Sequence, residues 1–173
     1  VGGSYESVLN EAAAACHGSW VLYGHDDELW PPDLAAQLPA LLQEDAQEFV
    51  FPRKHLIGAG ERWIVSPPWY PDWQVRLRHR RAWQAAPWPR QVHSSPAACG
   101  RRYATAAIWH YKFIVKSAEL RAARLARWGE LWATSLDDHY KRFSLPENYA
   151  WESAALEEAP PAEAGDLLRS LGV

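Results

Sequence analysis

A chain of 173 residues with a formal charge of −3 is long enough for one domain with a core of its own. Its mild acidity gives no push toward nucleic acid or an anionic surface, its two cysteines (Cys16 and Cys99) make no disulfide framework, and no apolar run approaches the roughly 20 residues of a membrane span. The chain opens at Val1 without a signal-peptide pattern and contains no methionine, so it reads as a fragment whose opening elements precede residue 1.

Ser4 is placed to cap a helix running to about His17, with Gly18 closing it. Tyr5, Val8, Leu9, Ala12 and Cys16 recur on one face at helical spacing. Asn10 lies on this helix, either as an exposed polar residue or as a contact to the loop after the next strand. Trp20-Val21-Leu22-Tyr23 is an unbroken apolar run and predicts a strand buried on both faces, as in a parallel sheet. After Gly24 come His25, Asp26, Asp27 and Glu28, just past the carboxyl end of that strand, where open α/β sheets place ligands. Adjacent carboxylates repel one another and are best tolerated when solvated, hydrogen-bonded or neutralised by a cation. Oxygen ligands of this kind suit Mg²⁺ or Mn²⁺, and such an ion is able to hold a phosphate. Trp30-Pro31-Pro32 predicts a rigid turn, and Asp33 stands near the start of a helix whose apolar face is Leu34, Ala35, Leu38, Leu41 and Leu42. Pro39 is expected to kink or shorten it.

Glu48 to Ile57 reads as a strand, Gly58-Ala59-Gly60 as a turn, and Glu61 to Val65 as the returning strand of a hairpin. Arg53, Lys54 and His55 form a basic segment, either a solvated face or a contact to an anionic ligand. Residues 66–71 form a proline-rich loop. Trp73 to Arg78 then alternates, with Val75 and Leu77 facing in and Gln74 and Arg76 opposite. Asp72 stands at the mouth of this strand as a base or a turn former, and Arg76 suits a phosphate or a structural salt bridge. Arg78 to Arg81 reads as a solvated hairpin, and the Trp/Pro loop from Trp83 to Arg90 is a place for a sugar to stack. Most of the 11 tryptophans fall between Trp63 and Trp132, and each offers a flat apolar face to a sugar ring or to a core. Tyr103 to Tyr111 is apolar enough for a strand, and Lys116 to Trp132 reads as a helix capped by Ser117. Leu120, Ala123, Trp128, Leu131 and Trp132 are its expected packed face, and Arg121, Arg124 and Arg127 its basic stripe. A short helix over Asp137 to Phe143, a linker over Glu157 to Gly165 and a last turn over Leu167 to Leu171 complete the reading.

Trp20 to Tyr23 followed by the acidic cluster resembles the strand and DxD motif of family 2 glycosyltransferases, whose fold is termed GT-A. Tyr70-Pro71-Asp72-Trp73-Gln74-Val75-Arg76-Leu77 resembles the PD-x-Q-x-RL stretch of lipopolysaccharide-core members. Val92-His93 and Ile108-Trp109-His110-Tyr111 follow in the expected order, so the resemblance spans roughly residues 1 to 132. The first acid of the motif is replaced, by His25 in one register, and Ser94 stands where family members often carry Glu after the His.

The resemblance implies an α/β fold: a partial GT-A, Rossmann-like mixed sheet flanked by helices over residues 1–134, followed by a helical and linker tail over 135–173. It implies an inverting, metal-dependent hexosyltransferase of polysaccharide, lipopolysaccharide or glycoconjugate synthesis in the cell envelope. Its partners are a nucleotide-sugar donor and a glycan or lipid-linked acceptor, with no nucleic acid. The expected location is cytoplasmic, at the inner face of the membrane, with peripheral contact through the basic stripe. Asp26, Asp27 and Glu28 are the expected ligands of a divalent cation, Mn²⁺ or Mg²⁺. His25, Asp26, Arg76 and His110 are the expected diphosphate contacts, and Asp72 and His93 the catalytic pair, with Asp72 as general base. The alternative is a glycan-binding module on the same scaffold that has lost catalysis.

Overall fold

The computed structural model describes residues 6, 8–60, 62–90, 94–132, 141, 144, 145 and 156–158. Among these the element order is α1 (Leu9–Ala15), β1 (Trp20–Leu22), β2 (Glu28–Leu29), α2 (Pro32–Leu41), β3 (Glu48–Ile57), β4 (Arg62–Ile64), β5 (Asp72–His79), α3 (Arg80–Ala85), β6 (Arg101–Tyr103), β7 (Ile108–His110), α4 (Lys112–Val115), α5 (Ala118–Trp132) and β8 (Leu156–Glu158). The fold is mixed α/β, with both parallel and antiparallel strand pairs. The chain divides into two compact units, one of residues 1–25, 32–52 and 73–107 and a second of 26–31, 53–72 and 108–173. Strands β3 and β5 have residues in both.

In the first unit β1 runs antiparallel to β5, with Trp20 opposite His79 and Leu22 opposite Leu77, while β6 runs parallel to the start of β3. The apolar run at Trp20 is therefore not a parallel strand buried on both faces. Val21 points into the core, and Leu22 is exposed. That core gathers Leu9 and Ala13 of α1 with Val21, Val50, Val75, Trp83 and Trp88, each large apolar side chain contributing about 1.5–3 kcal/mol on burial. The helical stripe of α1 is narrower than expected, because Val8 and Ala12 are exposed; Ser4 and Tyr5 lie outside the described residues. Helix α2 continues through Pro39 to Leu41, burying Leu34 and Leu41.

Two polar devices fix this unit. Asn10 clamps the backbone of Trp88, its Nδ2 donating to the carbonyl and its Oδ1 accepting from the N–H, both at 2.8 Å. Glu48, fully buried, accepts from Arg101 Nε at 2.6 Å and pairs with Arg78 Nε at 3.0 Å. The Arg78 guanidinium also donates to the carbonyls of Ala82 and Ala86, closing the end of α3. Arg78 is thus an interior residue and not part of a solvated hairpin, and burial is the main force lowering its pKa.

In the second unit Arg62–Ile64 returns antiparallel on the latter half of β3, across a turn in which Gly58 and Gly60 take φ of 67° and 95°. Such φ values favour glycine. Strand β7 runs parallel to β3, with Arg53 opposite Ile108 and His55 opposite His110, and β2 pairs antiparallel with β7. Strand β8 pairs with β4. Leu56, Trp63, Trp109 and Tyr111 form one apolar cluster, and Ile57, Ile64 and Trp69 a second. Of the predicted strand from Tyr103 to Tyr111, β7 and the last residue of β6 are strand. The predicted helix from Lys116 to Trp132 is α5, which starts at Ala118, with Ser117 Oγ accepting from Leu120 N at 3.3 Å; the short α4 before it was not predicted. Among the described side chains of α5 the buried ones are Arg121 and Leu125, whereas Leu120 and Ala123 are exposed. Among the described residues no helix is long and apolar enough to cross a membrane. The predicted short helix, linker and last turn fall almost wholly outside the described residues.

Glu48→Ala leaves the Arg78 guanidinium buried without its carboxylate. This is expected to cost about 3–5 kcal/mol in a urea unfolding titration, against under about 1 kcal/mol for breaking the exposed Glu11–Arg90 pair.

Candidate functional site

The second unit holds a continuous row of charged and hydrogen-bonded side chains drawn from β2, β3, β5, β7 and the lysine between α4 and α5. Arg53 Nη1 donates to Glu28 Oε1 at 2.8 Å and its Nε to Asp72 Oδ2 at 2.7 Å. His55 Nε2 meets the same Asp72 oxygen at 3.1 Å. His55 and His110 face each other through their Nδ1 atoms at 2.9 Å. His110 Nε2 lies 3.3 Å from Asp27 Oδ1, and Lys116 Nζ bonds Asp27 Oδ2 and lies 3.5 Å from Asp26 Oδ1. Tyr111 pins the backbone of the acidic turn, its hydroxyl donating to the Asp26 carbonyl at 2.6 Å and its N–H to the Asp27 carbonyl at 3.0 Å.

Strand geometry explains this grouping. Arg53 and His55 are two apart on β3 and so share one face. The parallel register sets His110 beside His55, and the β2–β7 register sets Glu28 opposite His110. All of these side chains are buried except that of Asp26, which is 81% exposed, and that of Asp72, which is 15% exposed.

Burial would raise the Asp27 carboxyl, but hydrogen bonding and charge from His110 and Lys116 hold it well below the usual carboxylate range. Asp72 is likewise held low against its burial, by Arg53 first and then by His55. Burial pushes His55 down to about 4, with Arg53 adding to the shift and Asp72 opposing it. His110 falls well below its ordinary value for the same leading reason, burial, followed by Arg53. Lys112 on α4 is lowered to about 8, by burial and then by Arg53.

Two neutral imidazoles bring two protons to three contacts, His55–Asp72, His55–His110 and His110–Asp27, so the tautomers of the two rings set which contacts carry a hydrogen.

The donor set does not fit a divalent cation. Both Asp27 oxygens face basic groups, the Glu28 side chain is sealed against Arg53, and the Asp26 and Asp27 carbonyls are taken by Tyr111. Mg²⁺ asks for near-octahedral oxygen ligands and keeps several waters. Among the described residues no group of three or more His, Cys, Asp or Glu is arranged to hold a metal ion.

The predicted site residues therefore divide. Asp26, Asp27, Glu28, Asp72 and His110 converge in the row just described. His25 and Arg76 belong to the first unit, where Arg76 Nη2 lies 3.4 Å from His25 Nε2 and its guanidinium lies over the Tyr23 ring. His93 lies outside the described residues. Ser94 is engaged in the Trp88 loop, donating to the Pro89 carbonyl at 3.0 Å. Trp83 and Trp88 are buried and present no face for stacking, and Asn10 holds their loop rather than the acidic turn. Sequence reasoning missed Arg53, His55 and Lys116 as members of the row. Two basic residues alternating on the face of a strand whose other members are Phe49, Phe51 and Ile57 were the available signal, because such a face demands buried counter-ions. Searches of family models, curated proteins and solved structures find no match to this chain.

The lowered His55 pKa has a definite sign. The unfolded chain takes up a proton near 6.5 and the folded chain only near 4, so stability is complete above about 6.5 and is lost as pH falls toward 4. Urea titrations are expected to show a loss of about 3 kcal/mol from His55 between neutral pH and the lower end of this window. That part of the dependence is expected to disappear in His55→Gln, while the part due to His110, whose shift has the same sign, remains.

Proposed function

We propose that this chain is the acceptor-side portion of a GT-A-type, family 2 glycosyltransferase. It would move a sugar from a nucleotide-sugar to an acceptor hydroxyl with inversion, in the synthesis of a polysaccharide, lipopolysaccharide or other glycoconjugate. The observation that carries the reading is convergence. Asp27, Asp72 and His110 come from the three separate stretches that resemble the family, and His55 links them into one hydrogen-bonded row. Unrelated surface acids would have no reason to meet in the interior.

In this reading Asp72 removes the acceptor proton. Its environment keeps it ionised, the state a base needs, at the expense of basicity. Arg53 and His55 orient it. Arg124 and Arg127 are exposed on α5 and are able to meet the headgroups around a lipid-linked acceptor, whereas Arg121 is buried and is not.

A second reading, a glycan-binding module without turnover, is favoured by the replacement of the first motif acid by His25 and by the internal neutralisation of the remaining acids. Release of the nucleoside diphosphate from a panel of nucleotide-sugars separates the two. The transferase reading expects release, lowered about 100-fold or more in Asp72→Asn. Glycan binding with no release from any donor establishes the second reading instead.

A further inference from the structure

The three adjacent acids create a demand for positive charge, and the chain meets that demand from within. Lys116 is buried, and its ammonium bonds Asp27 while lying 3.5 Å from Asp26. Its arm is anchored from behind, because Arg121, also buried, donates from Nη1 to the Lys116 carbonyl at 3.0 Å. Asp27's other oxygen faces His110, and Glu28 is neutralised separately by Arg53. A divalent ion placed between Asp26 and Asp27 would have to expel this ammonium and leave it buried near Lys112, whose charge Arg53, Arg121 and Lys116 already oppose.

We propose that Lys116 is the resident cation of this site: its ammonium takes the place of the divalent ion between Asp26 and Asp27 and donates a hydrogen bond to the departing diphosphate. The diphosphate role rests on the transferase reading; the exclusion of metal does not. An ammonium carries three donors on a flexible arm. Two are committed to the carboxylates, and the third is directed to a phosphate oxygen arriving from the side where Asp26 is exposed. The acidic turn then acts as a holder for the lysine. Asp27 fixes the ammonium and Tyr111 fixes the turn, so the lysine is already in position when the diphosphate arrives.

Electron paramagnetic resonance of Mn²⁺ tests the placement without any need for turnover. The wild-type protein is expected to take up no Mn²⁺, and Lys116→Ala to gain one Mn²⁺ site that is lost again when Asp27→Asn is added. Wild-type uptake of Mn²⁺ that Asp27→Asn abolishes overturns the proposal, and this arm stands even if Lys116→Ala does not fold. The second measurement is nucleoside-diphosphate release in excess chelator. Full wild-type release in chelator, about 100-fold lower in Lys116→Ala and partly restored in Lys116→Arg, supports the proposal. Release that stops in chelator and returns with Mn²⁺ overturns it. Absence of release with and without metal removes the transferase reading alone, and the Mn²⁺ titration still decides what occupies the acidic turn.

Discussion

A buried charge has to find its opposite inside the protein, and both units of this chain are built on that constraint. In the second, Arg53 stands between Glu28 and Asp72, and no water replaces it there without a large desolvation cost. In the first, Glu48 stands between Arg78 and Arg101. The two arrangements are inverse: one cation shared by two acids, and one acid shared by two cations. Each is made of long-range partners, so each forms only when the strands carrying it reach their native register.

The histidine pair follows from the same constraint. Once Arg53 has drawn Asp72 to β3, His55 has an ionised carboxylate at one nitrogen and His110 at the other. Low solvent access then favours the neutral rings. What results is a row whose side chains are oriented by one another.

Much of the architecture was legible from local pattern. Strand β3 was read with its observed bounds, because a run containing Phe49, Val50 and Phe51 followed by a Gly-x-Gly turn has few alternatives. The Ser117 cap and the β3–β4 hairpin were equally plain. Partnership across the sheet was not legible. The run at Trp20 looks like a parallel strand only because its residues are large and apolar; the antiparallel pairing with β5 that exposes Leu22 is decided by residues nearly 60 positions away. At the site, the acids announced themselves as a cluster, but nothing local marked Lys116 as their counter-ion, since its separation of 89 residues from Asp27 carries no periodic signal. Arg121 misled for a related reason. Three arginines at a spacing of three look like one stripe, yet a helix turns about 100° per residue, and the first of them lies far enough around α5 to fold inward.

The tryptophans give the molecule a further property. Trp83 and Trp88 are buried in the first unit, and Trp63, Trp69 and Trp109 in the second. Indoles removed from water emit at shorter wavelength than exposed ones, so each unit carries its own optical label. Replacing every tryptophan of one unit with phenylalanine, Trp20, Trp73, Trp83 and Trp88 in the first, leaves a chain whose intrinsic fluorescence follows the other. The order in which the two lose their interiors can then be read from the protein's own light, with no dye attached.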